Sequence, residues 1–359
     1  MGNTARFSAL NTKLRAMKTQ LLSMRDYEAL FALSSTVEIS RYLRDNTVYR
    51  EILKDRSLKD IHRGELEILL RNHGIERLQG LENFMEKEYR DFLKAILFRY
   101  EVENLHILLR GVSQARPAAD IRSKLFHIRS YLDIDFESLL YSKTVEEVIE
   151  RFEGSILEAA LRNVTAEDVQ TREFHIEMNT DYVYFENLIR KAEKLSKEDR
   201  DIALEVIGLF VDVINGGWIY RAKLNYSISD EEILNYSLQG GDRLTFNVMK
   251  QLVYSANFVE DFEDFFRKKY RGLDEDSVVH DQRFMDRYIM KRLMALNQNH
   301  PMSIAALMEF VHSLEYENLN MITVIEGAKY NQADKWEYLI PTSSKMRKEG
   351  GGKIWRLKR

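Results

Sequence analysis

The chain has no cysteine, only 3 prolines and only 16 glycines among 359 residues. Lack of cysteine excludes a disulfide framework, a thiol nucleophile and a Cys-ligated zinc site, and an intracellular location is the simplest expectation. So few helix breakers, with 31% charged residues and long Leu/Glu/Lys/Arg-rich segments, predict a mostly helical protein, and no run of alternating strands is evident. No 18-residue apolar run is apparent, and the opening Met1 to Arg6 lacks a following hydrophobic region, so a soluble chain without a signal peptide is expected. Arg6 stands where a myristoylation motif wants Ser or Thr. A phosphate-binding loop is missing too: Gly350-Gly351-Gly352-Lys353 is followed by Ile354, and Arg347 occupies the place of the first glycine. The 8 histidines show no His-Glu-x-x-His or other ligand spacing. These gaps predict no catalytic, cofactor-binding or metal-binding residues. A net charge of −4 gives no nucleic-acid signature.

What the chain does contain is a carboxylate three residues before an asparagine, three times over: Glu101 and Asn104, Asp212 and Asn215, Glu315 and Asn318. On a helix, residues i and i+3 share a face. Each asparagine falls in an apolar seam of three- and four-residue steps. The seams run Leu93, Leu97, Tyr100, Asn104, Leu108; then Leu204, Gly208, Val211, Asn215, Ile219; then Leu307, Val311, Leu314, Asn318, Ile322. A buried amide without a partner costs about 1–3 kcal/mol, so a partner is expected for each, with the preceding carboxylate the nearest candidate. Fixing helix register is one role for such asparagines and contacting a partner protein is the other.

A second marker keeps the same period. Ser35-Thr36-Val37-Glu38, Thr144-Val145-Glu146-Glu147 and Asn257-Phe258-Val259-Glu260 each fit an N-cap box ahead of an apolar helix. The distance from cap to asparagine is 69 residues (35 to 104), 71 (144 to 215) and 61 (257 to 318). Further helices are predicted at about 6–24, 26–33, 64–72, 182–195 and 284–296, with breaks at Asn72-His73-Gly74, Leu195-Ser196-Lys197 and Asn297 to Pro301. Pro301 suits a helix first turn, and Pro117 falls between the first two rounds. The period is twice that of ordinary solenoid units and occurs only three times. The expected fold is all-α: three pseudo-threefold-related helical repeats forming a funnel-shaped single chain, with repeats at 1–117, 118–232 and 233–340 and a basic C-terminal tail at 341–359.

Charge is uneven along the chain. Residues 1–25 hold five Lys/Arg and no Asp/Glu, and from Thr342 onward seven Lys/Arg face the single Glu349. The tail, with Trp355, is expected to be a flexible solvated segment, anionic lipid headgroups being the other reading. Glu260-Asp261-Phe262-Glu263-Asp264 could hold a magnesium–diphosphate as in all-helical prenyl-transferring enzymes, but a second facing acidic cluster is missing, and a solvated face after a cap is expected.

With these residues laid out, the sequence resembles a rotary ATPase component, the C subunit of A/V-type ATP synthases, whose equivalent in the eukaryotic vacuolar enzyme is the d subunit. The likeness spans roughly Arg6 to Leu339, including a start of the form Leu14-Arg15-Ala16-Met17-Lys18 through Asp26-Tyr27-Glu28-Ala29-Leu30. The family's repeat signature falls on Glu101/Asn104/Arg110, Asp212/Asn215/Arg221 and Glu315/Asn318, with Val324 in place of the third basic residue. The resemblance implies a non-catalytic central-rotor component, on the cytoplasmic face of a membrane as a peripheral protein. It would be a socket coupling the coiled coil of a central stalk to a membrane rotor ring of proteolipid subunits, for ATP-driven or ATP-producing transport of H+ or Na+. A monomer in isolation and one copy per complex are expected. The alternative is a freestanding helical adaptor unrelated to ATP.

Overall fold

The computed structural model describes residues 3–129, 131–226, 228–270, 282–330, 335–343 and 346. These residues form α-helices and short 3-10 turns, with no strand among them. The basic segment from Arg347 to Arg359, with Trp355 and Gly350-Gly351-Gly352-Lys353, lies outside the described residues. Contacts divide the chain into two compact units, one made of residues 1–58 with 196–359 and the other of residues 59–195.

The first unit opens with α1 (Asn3–Lys18), α2 (Met24–Phe31), α3 (Thr36–Asn46) and α4 (Arg50–Leu53). Phe7, Leu10, Leu14 and Met17 repeat at three- and four-residue steps and are all buried, which fixes the face α1 presents to the core. The second unit runs through α5 (Arg63–Gln79), α6 (Lys87–Ser113), α7 (Ala118–Arg122), α8 (Phe136–Leu139), α9 (Val145–Glu150), α10 (Glu158–Leu161), α11 (Ala166–Thr171) and α12 (Glu173–Ala192). Its centre is the packing of α12 on α6.

The chain then returns to the first unit with α13 (Lys197–Asn225), α14 (Asp230–Asn235), α15 (Phe246–Val253), α16 (Phe258–Lys269), α17 (Gln282–Asn299) and α18 (Ala305–Tyr330). There α17 packs on both α13 and α18, and α1, α2 and α3 each pack on α18. Most of α18 is buried all round between Ala305 and Leu314.

Several expectations change here. Asn72-His73-Gly74 does not break a helix: α5 continues to Gln79 because Leu66, Leu70, Ile75 and Leu78 carry a buried stripe through it, and burial outweighs the weak propensity of Asn and Gly. Pro301 precedes α18 in a turn, four residues ahead of its first residue Ala305. The tail assigned to 341–359 begins inside the core, since Pro341, Thr342 and Met346 are buried and Thr342 O accepts a hydrogen bond from Ser313 Oγ at 3.0 Å. α13 is long and apolar enough to cross a bilayer, against the expectation that no such run exists, but 67% of its apolar window is buried inside the protein core. Core helices pass that test as readily as membrane spans.

The caps hold in two of three cases. Ser35 Oγ accepts from Glu38 N and Thr144 Oγ1 from Glu147 N, each at 3.2 Å. The glutamates reach one residue further back than expected, to Ser34 N and Lys143 N. Asn257 makes no side-chain cap; instead Ser255 Oγ accepts from Asn257 N and donates to Asp261. Full reciprocal boxes occur at Ser23/Asp26 and Thr165/Asp168, where aspartate takes the glutamate's place.

Candidate functional site: three acid–asparagine ties

Asn104 and Asn215 are buried in the middle of long helices, at 1% and 0% exposure. Neither is partnered by the carboxylate before it. Asn104 Nδ2 donates to Phe126 O at 2.9 Å while its Oδ1 accepts from Phe126 N at 2.8 Å. Asn215 does the same to Leu238, with Nδ2 to O at 2.9 Å and N to Oδ1 at 2.7 Å. An asparagine amide carries donors and an acceptor side by side, so it can pair with one residue's N–H and C=O as another strand would. The loop residue thereby keeps both backbone groups bonded although it lies in no helix.

The carboxylate, one helical turn earlier, takes the next part of the same loop. Glu101 accepts from Tyr131 N through Oε1 and from Leu132 N at 3.1 Å through Oε2. Asp212 accepts from Arg243 N at 2.8 Å and Leu244 N at 3.1 Å, and also from Tyr270 Oη at 2.6 Å. Burial pushes the Asp212 carboxyl up to about 6, against the pull of these three donors. Burial, followed by the Asp212 charge, also raises the Tyr270 phenol. Backbone room for this approach comes from glycine. Gly240 has φ +92°, and a Cβ on Gly241 would stand 2.4 Å from Asp212 Oδ1.

The third tie is not where the spacing predicts it. Asn318 is half-buried, and Glu315 bonds His312 on its own helix at 2.8 Å. The tie is made two residues on, by Glu317 and Asn320, both 0% exposed. Asn320 Nδ2 donates to Ile340 O at 2.7 Å and its Oδ1 accepts from Ile340 N at 2.8 Å. The sequence 315–320 holds two overlapping acid–asparagine pairs, and α18 is apolar on too many faces for its periodicity to choose between them. Glu317 accepts from Leu22 N at 2.6 Å and Tyr49 Oη at 2.7 Å, groups nearly three hundred residues earlier in the chain. This partner could not have been found from local spacing.

Arg110 and Arg221 stand outside the ties. Arg110 is exposed and paired with Glu173 across α6 and α12, and Arg221 is exposed on α13. Counted from Asn320, the sixth residue on is Glu326 rather than Val324, and it is not basic.

Two titratable groups on the α6–α12 interface are shifted by burial. On the α6–α12 interface, burial holds His106 down to about 4, with Arg110 adding to the effect, and its Nε2 lies 2.9 Å from Thr180 Oγ1. Burial pushes the neighbouring Asp181 up to about 7, Arg99 opposing and Glu177 and Glu103 assisting. A cavity of 130 Å3 in the second unit is lined by Glu101, Tyr131, Glu82, Lys94 and Arg129 among others, and Glu82 pairs with both Lys94 and Arg129. Two of the acids of α16 are partnered one turn on, Glu263 with Arg267 and Asp264 with Lys268. Among the described residues no group of three or more His, Asp or Glu is placed to hold a metal ion. What the arrangement does chemically is to clamp loops to long helices.

Comparison with known proteins places this chain in a family. The chain matches the family model described as ATP synthase (C/AC39) subunit over residues 10–338. It is 23% identical over 339 residues to the C subunit of the A-type ATP synthase of Methanosarcina acetivorans, covering 92% of this chain and 91% of the relative. Against the protein of the same name from Thermococcus kodakarensis it is 23% identical over 316 residues, covering 87% and 83%. With a match that runs over residues 10–338 and takes in all three acid–asparagine pairs, the protein belongs to the ATP synthase C/AC39 subunit family.

Proposed function

We propose that this protein is a non-catalytic socket of the central rotor, seating the foot of a coiled-coil stalk on a membrane ring and passing torque between them. The observation that carries the reading is the threefold recurrence of one buried tie: Asn104 to Phe126, Asn215 to Leu238 and Asn320 to Ile340. A part that transmits torque must resist shear between its helices, and a double-ended amide bond backed by a buried carboxylate is a stiff link. Three such links in one polypeptide suit a pseudo-threefold, funnel-shaped arrangement of three helical repeats. A single copy can then sit on a rotor axis, where a trimer of one-repeat chains would need its own closed interface. The protein is a monomer alone and present once per complex, on the cytoplasmic face of the membrane. The transported ion is H+ or Na+.

The test removes the protein from membranes that carry the complex. The socket predicts that the soluble head still turns over ATP while ion transport is lost. Transport at the normal ratio to ATP hydrolysed would favour a freestanding adaptor instead.

A further inference from the structure

In the first two ties the carboxylate is satisfied by residues that follow it: Tyr131 and Leu132 for Glu101, Arg243 and Leu244 for Asp212. Each pair of N–H groups leads into a short helix, α8 or α15, and then into α9, capped by Thr144, or into α16, whose Asn257 makes no side-chain cap. For Glu317 the matching elements come from the other end of the chain. Leu22 N fills the carboxylate, Ser23 caps α2, and Ser35 caps α3 in the same order. Tyr49 Oη stands to Glu317 as Tyr270 Oη stands to Asp212, at 2.7 Å and 2.6 Å. Lys18 pairs with Glu309 at 3.0 Å, Asn11 Nδ2 donates to Pro301 O at 2.6 Å, and Tyr27 Oη receives Asn320 Nδ2 at 3.4 Å.

We propose that residues 1–58 are a detachable clasp: they supply the last part of the third round, and Glu317 holds them to α18 without need of the covalent chain. The first two rounds close along the backbone and cannot come apart without local unfolding. The third closes only through side chains and packing, so it is the place where the protein can be opened and reclosed. This inference stands whether or not the protein couples a rotor.

The test cuts the full-length folded protein at a protease site inserted after Arg56, in the exposed stretch Lys54 to Ser57. Gel filtration and mass spectrometry then show whether the N-terminal fragment stays bound. The nicked parent is expected to retain it, Glu317→Gln to release it at least ~tenfold faster, and Glu315→Gln to behave as the parent. Loss of the fragment from the nicked parent overturns the proposal, as does equal retention in Glu317→Gln and Glu315→Gln. Should Glu317→Gln fail to fold by circular dichroism, Tyr49→Phe decides: faster release supports the clasp, and release at the parent's rate overturns it.

Discussion

The tie at Asn104 and the tie at Asn320 use the same chemistry and differ in where the chain finds its partners. Around α6, the described loop partners of the acid and the asparagine lie within about thirty residues downstream, from Phe126 to Leu132. Around α18, the asparagine holds Ile340, twenty residues on, while the acid holds Leu22 and Tyr49 from the start of the chain. Local closure makes the first tie a property of one stretch of sequence. Remote closure makes the third a property of the folded chain, where loop entropy has already been spent by α1, α2 and α3 packing on α18.

The largest expected effect sharpens that comparison directly. Asn320→Leu should lower stability by about 3 kcal/mol, because it leaves Ile340's buried N–H and C=O unsatisfied, while Asn318→Leu should change it by less than about 0.5 kcal/mol. Asn104→Leu and Asn215→Leu should match Asn320→Leu. Denaturant midpoints check this, and a larger loss at Asn318 would return the third tie to Glu315.

Next comes the buried hydroxyl. Tyr270→Phe removes the 2.6 Å bond to Asp212 and should cost about 2 kcal/mol, a value suited to hydrogen bonds on charged groups. Tyr49→Phe should cost a similar amount through Glu317. Thermal denaturation of both, with the two losses adding in the double mutant, would show that the ties act independently.

An acid in each unit has a pKa raised by burial, and in the second unit a histidine lowered by burial opposes it. Asp181, raised to about 7, binds its proton more tightly folded than unfolded, so its contribution falls as pH rises from about 4 to 7. His106, lowered to about 4, stays neutral when folded, so its contribution is lost as pH falls from about 6.5 to 4. Their slopes partly cancel within the second unit. Asp181→Asn should therefore stabilise at pH 7 by about 1–2 kcal/mol, discounted because the side chain is half-buried, and unmask the histidine slope. In the first unit Asp212, raised to about 6, gives a falling contribution between about 4 and 6, and Asp212→Asn should abolish that slope. Urea titrations from pH 4 to 8 distinguish these outcomes.

The smallest effect is expected at Arg110. Its ion pair with Glu173 is solvent-exposed, so Arg110→Ala should cost no more than about 0.5 kcal/mol. A loss above about 2 kcal/mol would give the basic residue after the asparagine a structural role that its exposure denies.

Much of this was legible in the sequence because helices with one apolar face announce themselves: the long helices, the first two seam asparagines and two of three caps follow from spacing alone. Three things were not. Asn72-His73-Gly74 looks like a break, and only the packing of Leu70, Ile75 and Leu78 keeps α5 going. The asparagines' partners are backbone groups in loops, which carry no side-chain signature. The phase of the third tie is hidden because residues 315–320 satisfy the pattern twice, and only Leu22 and Tyr49, far away in sequence, select Glu317.

The central claim is that each asparagine clamps one particular loop residue. Native-state hydrogen exchange read at the amides of Phe126, Leu238 and Ile340 tests it most directly. Each Asn→Leu change should speed exchange at its own partner at least ~tenfold and leave the other two within about twofold. If Ile340 stays slow in Asn320→Leu, or speeds up in Asn318→Leu instead, the account of the three ties is wrong.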